Sequence, residues 1–579
     1  MHRRMWLAWT LGGIAFLLAT AATLYTNWDV SEISGAVLGH GARLAGATVR
    51  VKTTSTEATT DTHGRFQLRG FPSSFQVHVT AWKDGYYIGG LTVYPWQKDI
   101  EINLERYQVT DNAAYRWIPP LVEERPALAD FFTRMGLATA ARVSFNRAFL
   151  PLSSRLALGC ADCHGNTIYS QWASSAHAQG TDNIRFMTMY NGTDVSGRKS
   201  PPTRYGTSRD YGRFPLKPET GAPYYGPGFK LDFPDQAGNC AQCHAPTAAL
   251  GQPNGVDMNS VKGIDAKGSQ CDFCHKISEV ILDPATQAPA ENMPGVLSLR
   301  LNRPAGEAQV FFGPYDDVDV GPDTFLPLQA ESRFCASCHN ASFWGTPIYQ
   351  SYAEWLASPY AIAGTSCQAC HMKPDNKTRN FAPGRGGVDR QPNTVFTHAF
   401  PGAADIDLLQ STAKLDATAR MSGGSVTVDV KVTNENGGHH IPTDSPMRNI
   451  LLVVQAVDSA GNPLRQTSGP TVPEWGGIGT AANDYSGKPG KGYAKVLEEL
   501  WTEVSPTAAY WRQTTILLDT RIAAKAVDVS TYEFRARPGD GPVTITVKLI
   551  YRRAFKLLAQ QKGWDIPDIV MNQAKVTVP

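Results

Sequence analysis

Ten cysteines and five of the thirteen histidines fall into one short pattern repeated five times. It reads Cys160-Ala-Asp-Cys163-His164, Cys240-Ala-Gln-Cys243-His244, Cys271-Asp-Phe-Cys274-His275, Cys335-Ala-Ser-Cys338-His339 and Cys367-Gln-Ala-Cys370-His371. This is C-x-x-C-H, the attachment pattern of c-type haem. Two thiols three residues apart lie on one side of a helical turn, so both reach the vinyl groups of one porphyrin. The histidine that follows then turns under the ring and ligates the iron. No cysteine lies outside the five motifs. Disulfides give no reason for a histidine after every second cysteine, and zinc sites need no histidine at one fixed offset. Five covalent haems c, each with a motif histidine as proximal ligand, are therefore the expected cofactors.

Eight histidines remain for the opposite faces of five irons. His2 is N-terminal, and His40, His63 and His78 lie in a β-rich segment where exposed loop or strand positions are the ordinary reading. His177 lies in Ser170-Gln-Trp-Ala-Ser-Ser-Ala-His-Ala, a helix-like segment, and His398 in the loop Thr397-His-Ala-Phe-Pro-Gly402. His439 and His440 lie in Asn436-Gly-Gly-His-His-Ile-Pro-Thr443 between two strands, where glycines let the backbone approach a flat partner. His177, His398 and His439 are the expected distal ligands, with His440 a hydrogen-bonding neighbour or surface residue. Even all four leave one iron short, to be Met-ligated, reached by a histidine of the N-terminal β segment, or five-coordinate. Met372 follows His371 on the proximal side and is not favoured. Tyr360 stands in Trp355-x-x-Ser358-x-Tyr360-Ala where Trp172-x-x-Ser175-x-His177-Ala has a histidine. It is read as a tyrosine packed on a porphyrin edge, the alternative being a weakly ligated or open haem.

The elements that must position these residues follow from pattern. The chain is expected to be multidomain: a loop-rich, mainly helical multihaem core flanked by two β-sandwiches, behind an N-terminal transmembrane helix. Residues 33–106 carry short runs separated by Gly, Asp and Pro turns. In the last run Phe75, Val77, Val79 and Ala81 alternate with Gln76, His78 and Thr80, so one face is expected inside. Residues 107–159 form a linker, with apolar residues at helical spacing from Pro126 to Phe149. The haem region spans 160–405. Cys240 to Cys271 and Cys335 to Cys367 are nearly equal intervals, and Gly268-Ser-Gln-Cys271 parallels Gly364-Thr-Ser-Cys367. Two related haem pairs behind a single leading haem are expected, with the insert 181–239 an ordered loop or partner surface. Residues 410–579 again read as strands: Val426, Val428, Val430 and Val432 alternate faultlessly with polar neighbours, and Asn449–Ala456, Val543–Tyr551 and Ala574–Val578 follow. Arg552–Lys562 reads as one helix against them.

A net charge of +2 gives no electrostatic footprint for nucleic acid. At the N-terminus Arg3-Arg4 precedes an apolar run from Met5 to Tyr25, with Trp28 beyond it. Residues 1–27 are read as an uncleaved membrane anchor in preference to a cleaved signal. Either sends the bulk to the periplasmic or extracellular side of the cytoplasmic membrane, where haem c is attached.

Two resemblances add to this. Leu44-Ala-Gly-Ala-Thr-Val-Arg followed by Thr60-Asp-Thr-His-Gly-Arg-Phe resembles carboxypeptidase regulatory-like domains, small transthyretin-like β-sandwiches that serve as spacers or contact modules. Cys335-Ala-Ser-Cys-His, Glu354-Trp-x-x-Ser before Cys367-Gln-Ala-Cys-His-Met, and Gly438-His-His-Ile-Pro-Thr are similar to the extracytoplasmic multihaem cytochromes c related to the tetrahaem cytochrome of ammonia oxidisers. That resemblance covers about 160–460 and implies stacked, mostly bis-histidine haems in respiratory electron transfer. Related nitrite reductases use a C-x-x-C-K motif, which this chain lacks. The expected function is electron transfer between a membrane oxidoreductase and other redox proteins, more carrier than catalyst. The alternative is an oxidoreductase acting on a small nitrogen or sulfur oxyanion at one open haem. The flanking β domains could also dock the molecule into a larger complex.

Overall fold

The computed structural model describes residues 31–71, 75–121, 159–385, 387–537 and 541–579. The expected anchor at 1–27 and the expected helix of 126–149 lie outside the described residues. Among the described residues no helix is long and apolar enough to cross a membrane.

The first domain is two four-stranded sheets on one core. Glu32–Gly39 pairs antiparallel with Arg65–Arg69 and Ala42–Arg43 and parallel with Ile100–Leu104. The second sheet runs Glu57–Thr59, Thr48–Val51, Val77–Trp82, Gly89–Val93. Val49, Val79 and Ala81 are fully buried between the sheets, because alternate side chains of a strand share a face. Phe75 departs from the expected alternation. The strand begins only at Val77, and Phe75 stands 77% exposed, edge-on to Tyr94. Arg50 forks onto the Asp316 carboxylate with both bonds at 3.0 Å, and Trp82 donates to Thr324 Oγ1 at 3.1 Å. These contacts dock the domain onto the segment 309–325.

The C-terminal domain also has two four-stranded antiparallel sheets. One runs Ala413–Ser422, Ser425–Asn434, Val527–Arg535, Gln466–Ser468; the other Gly490–Tyr493, Asn449–Val457, Val543–Arg552, Ile569–Val578. Val426, Val428, Val430 and Val432 of the first sheet share one core with Ile450, Leu452, Val454, Ile545 and Val547 of the second. The helix Lys556–Lys562 follows the third strand of the second sheet.

Between these domains the segment 160–405 has little regular structure. Its α-helices are short, running from four residues, as in Cys271–Cys274, to the eight of Ile184–Asn191. Two-stranded ribbons and loops fill the rest. Short helices cannot bury a wide apolar stripe, so this region depends on its neighbours and on whatever lies inside it. The insert 181–239 is locked to the C-terminal domain. Arg512 donates to both oxygens of Asp232, at 2.8 and 2.6 Å, and to Glu499 at 2.6 Å, all three side chains being buried. Lys562, wholly buried, donates to the carbonyls of Thr188, Thr193 and Pro227.

Replacing Arg512 by Met leaves two buried carboxylates without their cation. The expected cost is about 3–5 kcal/mol of stability, read as a lowered denaturant midpoint of the purified protein.

Candidate functional site

Each motif forms a single helical turn: Cys160–His164, Ala241–His244, Cys271–Cys274, the end of Arg333–His339, and Cys367–His371. The two thiols of each therefore share a side, with the histidine beside them. Thiols from different motifs also lie side by side: Cys160 with Cys271, Cys243 with Cys338, and Cys335 with Cys367. The fourth and fifth motifs are neighbours, as their spacing suggests. The second meets the fourth and the third meets the first, and residues of the second and third motifs share one core cluster. An interval in sequence limits reach but does not choose the partner.

The motifs line one connected cavity of ≈ 1240 Å³. A single small-molecule pocket is about 300–1,000 Å³, so this space suits several ligands or one extended array. Its walls include all five motif histidines together with His177, His398, His439 and His440. These imidazoles lie deep in the fold yet keep some accessible surface, which opens onto the cavity.

Three pairs of rings face each other across this space. His177 and His339 have centroids 6.2 Å apart, His275 and His398 6.5 Å, and His371 and His439 6.3 Å. Two imidazoles ligating one metal from opposite sides, with bonds of about 2 Å and ring centres about 1 Å behind the nitrogens, have centres about 6 Å apart. Each pair joins a motif histidine to one of the three histidines read as distal ligands. His177 thus stands opposite the histidine of the fourth motif rather than that of the first, which it follows in sequence. Among the described residues no histidine faces His244 at this spacing, and His164 stacks on Phe381 with centroids 6.3 Å apart. His244 stacks on Phe186, centroids 3.9 Å apart. His40, His63 and His78 are exposed and do not line the cavity.

Hydrogen bonds fix the tautomers. Nδ1 donates to a main-chain carbonyl in His164 (Phe381, 2.7 Å), His275 (Phe312, 2.6 Å), His371 (Pro401, 2.8 Å) and His439 (His440, 2.9 Å). In His339 it meets the Asp444 carboxylate at 3.0 Å. With the proton held at Nδ1, Nε2 keeps its lone pair for a metal. Burial pushes His177 and His244 down to about 4 and His398 to about 3, so these rings are neutral, the form that ligates metal. His339 differs: burial pulls it down, but Asp444 outweighs this and lifts it to about 9. His177 also carries a buried Nδ1 with no protein partner. Paired thiols, pinned imidazoles and an apolar-walled cavity fit a set of covalently held porphyrins.

The supporting residues come from all parts of the chain. Gly268, at φ +69°, lies so close to the His177 carbonyl that a Cβ there would sit 2.4 Å from its oxygen. Ser269 N–H donates to that carbonyl, and the Trp172 indole donates to the Ser269 carbonyl at 2.9 Å. Trp355 repeats this bond to Thr365 O at 2.9 Å, so the matching Trp and Gly-x-x-Cys signals form one repeated brace. Tyr360 donates its hydroxyl to Glu435 O at 3.0 Å, the role of a packed tyrosine rather than a ligand. The loop bearing His439 is held by Asn434, whose side chain donates to His439 O at 2.8 Å and to Ile522 O at 3.0 Å. It is held too by Glu354, which accepts from Thr443 Oγ1 at 2.6 Å and His440 N–H at 3.2 Å and pairs with Arg521. Sequence reasoning missed Asp444, Phe186 and the anchoring role of Glu354. Only the acidic residue closing the His-His-Ile-Pro-Thr loop offered a signal for Asp444.

No family model matches the chain, and none of the curated proteins matches it. A penta-haem cytochrome c552 from Thermochromatium tepidum superposes with a TM-score of 0.48 at 19% identity, covering 72% of this chain and 97% of that one. A type II cohesin–X-dockerin complex from Acetivibrio cellulolyticus matches with a TM-score of 0.12 at 18% identity, over 13% of this chain and 58% of that one.

Burial alone would raise the Glu354 carboxyl, but His440, Arg521 and Thr443 hold it at about 2 against 4.5 for the free side chain. A lowered folded value means that the stabilisation is complete above pH 4.5 and is lost as pH falls through about 2. It amounts to about 3 kcal/mol. The difference in unfolding free energy between the native protein and Glu354→Gln is expected to shrink over that window, as followed by denaturant titration.

Proposed function

We propose that the chain is a pentahaem c-type cytochrome that carries electrons, with its bulk on the outer side of the cytoplasmic membrane. The observation that carries this reading is the coincidence of two independent patterns. Five C-x-x-C-H motifs use every cysteine, and three of their histidines face a second histidine at the spacing of two ligands on one metal. A porphyrin held in this way supplies one-electron exchange at its iron. The chain's own residues do the rest. The thiols anchor, the Nδ1 hydrogen bonds orient the ligating rings, and the apolar wall excludes water. The thiol neighbours Cys160–Cys271, Cys243–Cys338 and Cys335–Cys367 support close approach between sites, which tunnelling requires. Redox proteins are the proposed partners, and the first β domain and the segment 1–27 are the proposed docking module and membrane tether.

A second reading rests on the second motif. His244 stacks on Phe186 and faces no histidine among the described residues, which favours an open iron there. That iron would suit a small nitrogen or sulfur oxyanion.

The mass of the purified chain is expected to exceed that of the polypeptide by five porphyrins, and free thiols would end the proposal. Electron paramagnetic resonance of the same sample separates the two readings, because a high-spin signal that shifts with nitrite or sulfite favours the enzyme. His398→Ala is expected to convert one low-spin haem, the one on Cys271 and Cys274, to high spin. His63→Ala should leave the spectrum unchanged.

A further inference from the structure

We infer that Asp444 sets the fourth site apart from the others, by giving His339 imidazolate character and so making that iron the hardest of its neighbours to reduce. The inference rests on the haem reading above. Among the described residues, three motif histidines give their Nδ1 proton to neutral main-chain carbonyls, while His339 alone gives it to a carboxylate, at 3.0 Å. A hydrogen bond to an ionised acceptor is roughly twice as strong as a neutral one. It draws the proton toward the acceptor and leaves more electron density on Nε2. A more basic ligand favours the ferric over the ferrous iron.

The fold goes to some length to put a charge there. Asp444 has φ +66°, a conformation that L residues seldom adopt, though Asp tolerates it better than most. Strain of this kind persists only where the surroundings over-determine it. Thr443, the preceding residue, is tied by its hydroxyl to Glu354 and by its carbonyl to Arg448 Nη1 at 3.0 Å. Arg448 therefore stands beside the carboxylate and balances its charge without replacing His339 as its nearest partner.

Position gives the difference a consequence. Cys338 lies against Cys243 of the second motif, and Cys335 against Cys367 of the fifth. The fourth site is thus the junction between them. A site of lowered electron affinity at a junction passes charge on to either side and does not retain it.

The test uses Asp444→Asn in the fully loaded protein. The amide oxygen can still accept from Nδ1, but the charge is gone. One of five redox steps is expected to move upward, with the ratio of oxidised to reduced haem at a fixed potential falling about tenfold, or about 59 mV for one electron. One low-spin resonance should shift its g values, and the other four haems should not change. Should the variant fold poorly, the unaltered protein still decides. One bis-histidine haem alone should show the compressed g spread of an imidazolate ligand, and bis-histidine haems all alike would overturn the inference. Five haems with an unchanged titration in the variant overturn it too. A chain carrying fewer than five haems instead overturns the proposed function, so the two failures are distinct.

Discussion

An imidazole aims its Nε2 lone pair in one fixed direction across a cavity when its Nδ1 proton is engaged elsewhere, as in His164, His275, His339, His371 and His439. That constraint organises the middle of this molecule. Of the carbonyls that engage those protons, those of Phe381 and Pro401 belong to loops and that of Phe312 to a strand of only three residues, Phe311–Gly313. Their course makes sense as that of acceptors brought to the right place. A hydrophobic core fixes position by excluding water everywhere, whereas here the fixing is done by a few directed bonds around a hollow interior. Directed bonds need rigid backing, and the two β domains supply it through buried cations such as Arg512 and Lys562.

The C-terminal domain does more than support. Its loop between Asn434 and Asn449 turns one side chain, His439, toward His371 and another, Asp444, toward His339. Two neighbouring sites are thus completed by residues five apart in sequence on one loop. Glu354, between the fourth and fifth motifs, holds that loop from the other side through Thr443 and His440. The interface between domains and the interior of the site are therefore the same set of bonds.

What could be read from the sequence was whatever is local. The five motifs are local, and so is the valine alternation of 426–432, which lies wholly buried. The Trp-x-x-Ser and Gly-x-x-Cys signals were legible as a repeat, but their joint purpose was not, because the bond from Trp172 to Ser269 spans two motifs. Which histidine faces which was equally hidden. His177 meets His339 because Gly268 allows the backbone close to it, a fact of packing rather than of spacing. Phe75 failed for a different reason, since an alternating pattern does not say where a strand starts.

The loop that reaches His371 and His339 has a bearing on how the molecule is made. A chain emerges from its N-terminus, so every motif leaves the ribosome before His439 and Asp444 exist. Until the final third of the polypeptide has been synthesised and its sheets have closed, the fourth and fifth motifs lack the groups that face them. Maturation is therefore directional, and the β domain that follows the motifs acts as the seal on the interior.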